Sequence, residues 1–282
     1  RARQVPVLIN YSVDGKKFEK APDDNDLAVL KKIDESEIPY WHPSNQLPNG
    51  YNTKQPEISH GLTHVHHFYK KRSLLVLASF FSKVSESKSM PRKYLSLLSI
   101  LTGGMLGLSK LQRFRPKTTF PNMILSGTLY VGSLRREWNA YQWLFGKYKS
   151  ILKMKKNRLR GCNLIYCGSS TNIPINQDAT IDYIFTDPPF GGNLMYSELN
   201  FLWESWLKVF TNNKPEAIEN SIQGKGIKEY QVLMEQCFSE CFRVLKPGRW
   251  MTVEFHNSKN QVWNAIQEAI NRAGFVVADI RV

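Results

Sequence analysis

A carboxylate, two prolines and an aromatic ring stand in a row at Asp187-Pro188-Pro189-Phe190, directly after Tyr183-Ile184-Phe185-Thr186 and before Gly191 and Gly192. The run from Ile181 to Phe185 is β-branched and aromatic, and it stops at a charge followed by two residues that cannot donate to a sheet ladder. This predicts a buried parallel strand. Ligands of open α/β sheets sit beyond the carboxyl ends of the strands, so Asp187 is placed to face a crevice. The prolines fix φ and present carbonyls without competing N–H groups, and Phe190 adds a flat apolar face. Together these groups suit an exocyclic amine on a planar base. The carboxylate and a carbonyl accept the amine hydrogens while the ring stacks.

The four residues resemble the catalytic motif of amino-methyltransferases dependent on S-adenosylmethionine, whose pattern is Asp/Asn/Ser-Pro-Pro-Tyr/Phe/Trp. Leu164-Ile165-Tyr166-Cys167-Gly168-Ser169-Ser170 resembles the strand and turn that precede it in that family. Phe242-Arg243-Val244-Leu245-Lys246-Pro247-Gly248-Arg249-Trp250 resembles the helix end, turn and strand that follow. Asn193 to Leu207, with Tyr196-Ser197-Glu198-Leu199 and Phe201-Leu202-Trp203, resembles the helix after the catalytic loop. The likeness covers residues 160 to 282 and is nearest to bacterial adenine-specific DNA methylases, including those of restriction-modification systems.

The resemblance implies methyl transfer from S-adenosylmethionine to the N6 amine of adenine in DNA. It assigns Asp187, Pro188, Pro189 and Phe190 to catalysis, and Ser169, Ser170 and Asp187 to the neighbourhood of the cofactor. Asp at the first motif position favours adenine, because cytosine-N4 members usually carry Ser there. The adenine amine is a poor nucleophile while its lone pair is delocalised into the ring. Hydrogen bonds from the amine to the Asp187 carboxylate and the Pro188 carbonyl would relocalise that pair, and positioning would supply most of the acceleration. In a duplex the base must first be rotated out of the stack, at a cost of a few kcal/mol.

Charge argues for the same kind of polymer. The chain carries +14 overall, and 13 of its basic residues lie between Lys110 and Arg160 against the single acid Glu137. The remainder is close to neutral, so the positive field is local. Lys110, Arg113, Arg115 and Lys117 surround Phe114 and Pro116, and Arg135 and Arg136 precede an aromatic stretch with Trp138, Tyr141, Trp143 and Phe145. These cations are candidate phosphate contacts for DNA, or equally for structured RNA. The spacing of Trp138, Tyr141 and Phe145 predicts the buried face of a helix with a solvated basic side.

Length and composition allow a sizeable core, with 42% hydrophobic residues among 282. No apolar run approaches the roughly 20 residues needed to span a bilayer, and nothing at the N-terminus has the order of a secretory signal. The expectation is a cytoplasmic protein with reduced core thiols at Cys162, Cys167, Cys237 and Cys241. His64, His66 and His67 lie in a segment read as extended, with side chains on opposite faces, and no metal site is expected there.

The predicted fold is α/β: a partial doubly wound, Rossmann-like methyltransferase sheet over 161–282, preceded by a mostly helical basic region over 1–160. A hairpin at Asp14-Gly15, a helix capped at Asp24 to Asp26 and reaching Glu35, a loop from Trp41 to Gly61, and helices over Arg72–Val84 and Arg92–Leu111 are expected in the first region. Strands are expected at Asn163 onward and at Phe275 to Val282 in the second. The Gly-rich cofactor loop of the resembling enzymes is absent ahead of Asp187, and Gly103, Gly104 and Gly107 read as a helix-packing surface or turn. The expectation is therefore a longer intact protein, of which this chain holds the base-binding half. An RNA methyltransferase and a noncatalytic nucleic-acid-binding fragment are the alternatives.

Overall fold

Asp14 and Gly15 take positive φ of 51° and 78°, so the chain reverses in two residues and Ile9–Val13 (β1) pairs antiparallel with Lys16–Lys20 (β2). The computed structural model describes residues 4–115, 124–156 and 162–281. It is a mixture of helix and small sheets in two units, Arg1–Leu159 with Asn200–Val209, and Arg160–Leu199 with Phe210–Val282.

In the first unit, Asp24–Glu35 (α1) starts from a reciprocal cap. Asp23 accepts from the Asp26 N–H and Asp26 accepts from the Asp23 N–H, one residue earlier than expected. The predicted loop from Trp41 to Gly61 contains Tyr51–His60 (α2), which ends at Gly61 with φ 64°. Its Asn, Pro and His content disguises a helix that is held by burial of Asn52, Thr53 and Pro56. Lys71–Glu86 (α3) and Pro91–Met105 (α4) follow, and Ala140–Lys156 (α5) packs on both. Phe68, Leu77, Leu101, Met105 and Leu111 form part of the buried interior with Leu202 and Trp206, residues of Tyr196–Leu207 (α6).

The glycines of α4 and the turn after it are a packing surface, as read from the sequence. A Cβ on Gly104 would stand 2.7 Å from Leu144 Cδ2, and one on Gly107 would stand 2.1 Å from Trp143 Cζ2. The extended reading of the histidine segment is overturned, because Val65–Phe68 is a 3₁₀ turn. The shorter rise gathers the His64, His66 and His67 rings to centroid distances of 4.3 to 5.6 Å.

The second unit is built on Ile181–Thr186 (β3), which runs parallel to Leu245–Val253 (β4). Ile227–Val244 (α7) and Asn260–Arg272 (α8) pack on each other, and Met251, Val253 and Phe255 lie against their cluster of Tyr230, Met234, Phe238, Val262 and Ile266. The Lys246-Pro247-Gly248 stretch bulges out, since Ile181 pairs with Leu245 and Tyr183 already pairs with Trp250. Gly248 sits at φ 71° in that bulge, and Lys246 Nζ reaches Asp182 Oδ1 at 2.8 Å.

β3 is parallel, as expected, but it is not buried. Tyr183, Phe185 and Trp250 are 54%, 59% and 66% exposed, because the sheet has two strands among the described residues and α7 and α8 cover one face. Nor does a strand form at Leu164 and Ile165, which are more than nine-tenths exposed, or at Phe275 to Arg281. Their β-branched content signals a strand, yet no neighbouring ladder pairs them here. Cys162 and Cys167 are exposed rather than core, whereas burial pushes the Cys237 thiol up to about 11 and raises that of Cys241.

Candidate active site

The parallel ladder ends where Glu254 N–H donates to Thr186 O at 2.9 Å, so the loops that follow β3 and β4 begin side by side. Asp187 is exposed, Pro188 is buried, and Pro189 and Phe190 are half-buried. Side chains from behind hold the loop. The Tyr230 hydroxyl, from α7, donates to Pro189 O at 2.8 Å and also hydrogen-bonds the Gly191 backbone. Asn257, beyond β4, donates from Nδ2 to Phe190 O at 2.9 Å.

Asn257 is itself fixed. Its Oδ1 accepts from the Lys259 N–H at 2.7 Å, and its carbonyl accepts from Trp263 Nε1 at 2.8 Å. The Phe190 ring stands edge-on to Phe255, at 5.4 Å and 84°, and Phe255 stands edge-on to Trp263 at 5.0 Å. Gly191 is needed for two reasons: its φ is 65°, and a Cβ would meet Val262 Cγ1 at 3.1 Å. The bonds that Tyr230 and Asn257 make to the loop engage its later half. The Asp187 carboxylate and the Pro188 carbonyl have no hydrogen-bond partner among the described residues.

Tyr196 stands within electrostatic reach of Asp187. Burial, then the negative charges of Asp187 and Glu216, push its phenol upward, so it is an O–H donor at neutral pH. Glu216 is held by the Ser197 N–H at 3.2 Å, the Ser197 hydroxyl at 3.1 Å and Gln223 Nε2 at 3.3 Å. Lys225 donates to the Asn213 and Glu216 carbonyls at 2.6 and 2.7 Å, and burial lowers its ammonium. Burial also raises the Tyr230 phenol, which keeps its proton for Pro189.

Ser169 and Ser170 are exposed, and the Ser169 hydroxyl is engaged within its own turn, with Thr171 Oγ1 at 2.8 Å and the Thr171 N–H at 3.3 Å. No hydrogen bond among the described residues joins that turn to the Asp187 loop. Among the basic candidates, Lys110 donates its ammonium to His67 O at 2.7 Å, and Arg113 and Arg135 face each other across an isolated antiparallel bridge. Burial lowers the Arg135 guanidinium, and that of Arg136 lies 3.6 Å above the Trp138 ring. Arg115 is exposed, and Lys117 lies outside the described residues.

The helix-face reading of the aromatics is corrected. Tyr141 and Phe145 are 72% and 55% exposed, and the buried side of α5 carries Ala140 and Leu144, with Trp143 partly buried beside them. Sequence reasoning gave no role to Tyr230, Asn257 or Glu216, and placed Tyr196 only as part of a helix. Asn257 was within reach of it: the carboxyl end of a parallel neighbour is as much a ligand position as that of β3. No protein-family model matches the chain, and no curated protein or solved structure matches it.

Proposed function

We propose that the chain takes part in S-adenosylmethionine-dependent methyl transfer to the N6 amine of adenine in DNA, with Asp187-Pro188-Pro189-Phe190 receiving a base rotated out of the duplex. One observation carries this reading. The loop is anchored through the Pro189 and Phe190 carbonyls, while the Asp187 carboxylate and Pro188 carbonyl, the two acceptors an amine needs, stay without partners among the described residues. Anchors on both later carbonyls hold the loop in one geometry, as a preorganised base site requires.

In this reading the two acceptors hydrogen-bond the amine N–H groups and return the lone pair to nitrogen, and the Phe190 ring bounds the base. S-adenosylmethionine would supply an electrophilic methyl group. Among the described residues the Ser169 turn forms no cradle for its nucleoside, since Leu164 and Ile165 lie exposed outside any strand and the Ser169 hydroxyl serves its own turn.

The test is transfer of radiolabelled methyl from S-adenosylmethionine to unmethylated DNA, by this chain and by its longest native form, with N6-methyladenine identified in the digested product. Asp187→Ala is expected to lower transfer roughly 100- to 1,000-fold. Absence of N6-methyladenine with every form, or full activity in Asp187→Ala, would refute the proposal.

A further inference from the structure

α5 has two apolar faces. One carries Ala140, Leu144 and Ile151 and is closed by α4, with Trp143 seated over Gly107. The other, Tyr141, Phe145, Tyr148 and Leu152, repeats the same helical spacing about a third of a turn further round, and it is 72%, 55%, 43% and 41% exposed. Four large side chains in a row on one open face form a patch rather than isolated exposure.

The patch has order and charge. The Phe145 and Tyr148 rings are within 25° of parallel at 6.0 Å, and Lys149 Nζ is 4.7 Å from the centre of the Phe145 ring. α5 carries Lys147, Lys149, Lys153, Lys155 and Lys156 and no acidic residue. A second copy of this helix would set lysines against lysines, so charge complementarity calls for a polyanion. Three flat rings beside cations match the surface on which single strands stack their bases and neutralise their phosphates.

We propose that the open face of α5 is a stacking platform for an unpaired nucleic-acid strand, with Tyr141, Phe145 and Tyr148 receiving bases and Lys149 and Lys153 tracking phosphates. This platform presupposes that the chain handles nucleic acid, as proposed above, but not that it transfers methyl groups. Stacking is tolerant of sequence, so the platform holds a strand without reading it.

Binding of a fluorescein-labelled oligothymidylate of about 20 nucleotides, followed by anisotropy, tests the platform. The combined Phe145→Ala and Tyr148→Ala variant is expected to bind roughly 10- to 100-fold more weakly. Phe145→Tyr with Tyr148→Phe should keep the affinity, and Lys149→Gln with Lys153→Gln should flatten its salt dependence. A duplex of the same length should lose less than about threefold in the alanine variant, because paired bases offer no faces to stack. Circular dichroism checks that the exposed changes leave α5 folded.

No binding by the wild-type chain, equal losses for strand and duplex, or unchanged affinity in the alanine variant would overturn the platform. So would capture of phosphatidylglycerol vesicles in place of the oligonucleotide, which would make the face a membrane contact. Methyl transfer is assayed in parallel. Strand binding through the rings without any transfer sinks the enzyme and spares the platform, and transfer with ring-independent binding does the reverse.

Discussion

The two units solve the problem of burying apolar surface in opposite ways. In the helical unit, Trp206 is fully buried, edge-on to Trp41 and Tyr69, with its Nε1 donating to the Tyr69 hydroxyl at 3.2 Å, and α3, α4 and α5 close around buried leucines. In the other unit, α7 and α8 seal one face of the β3–β4 pair and leave Tyr183, Phe185 and Trp250 in the open. Apart from Asp182, β3 is as β-branched and aromatic as a strand buried on both faces, but its environment is that of a half-buried one. Closure of an interior is thus a property of what surrounds an element, and composition reports only the capacity for it.

The contrast can be broken at several points. Trp206→Ala should destabilise the helical unit by about 3–5 kcal/mol in urea unfolding, and a loss below about 1 kcal/mol would show that this interior is not closed. Gly107→Ala, which drives a methyl group into the Trp143 ring, should cost about 1–3 kcal/mol by the same measurement. In the sheet unit, Glu240 is held down to about 2 from an ordinary 4.5, first by its bond to Arg243 and then by the Ile173 N–H. Its contribution is complete above pH 4.5 and is lost as the pH falls through about 2, so unfolding of this unit should become easier across that window and Glu240→Gln should flatten the change.

Smaller effects sharpen the picture. Tyr230→Phe removes the hydroxyl from Pro189 O and should cost about 1 kcal/mol, with weaker capture of an adenine-containing strand if the loop is a base site. Trp250→Ala on the open face should change stability by less than about 0.5 kcal/mol. A cost as large as that of a buried tryptophan would mean that this face is covered in solution.

The sequence announced local features well. The Asp14-Gly15 reversal, β3 with its carboxyl-terminal Asp187, and the glycine packing surface under Trp143 all depend on near neighbours or on a residue's own backbone freedom. What it hid depends on distant partners. Whether Leu164 and Ile165 join a ladder is decided by strands elsewhere, and α2 is a helix because Thr53 and Pro56 are buried. The anchors Tyr230 and Asn257 come from α7 and from beyond β4, 41 and 67 positions along the chain from the carbonyls they hold. Tyr141 and Phe145 misled because a helix can carry two apolar stripes, and spacing alone does not tell which one is covered.

The parallel pairing of β3 and β4 also bears on the order of folding. Asp182 and Lys246 meet across 64 positions, and a parallel crossover cannot close until the chain between them has been gathered in. Helices such as α3 and α4, by contrast, are neighbours along the chain and need only a short search to find each other. The α3–α4 pair should therefore gain amide protection early in a pulse-labelling refolding experiment. The Asp187 loop, which hangs from the last rung of the crossover, should be among the final segments to be protected.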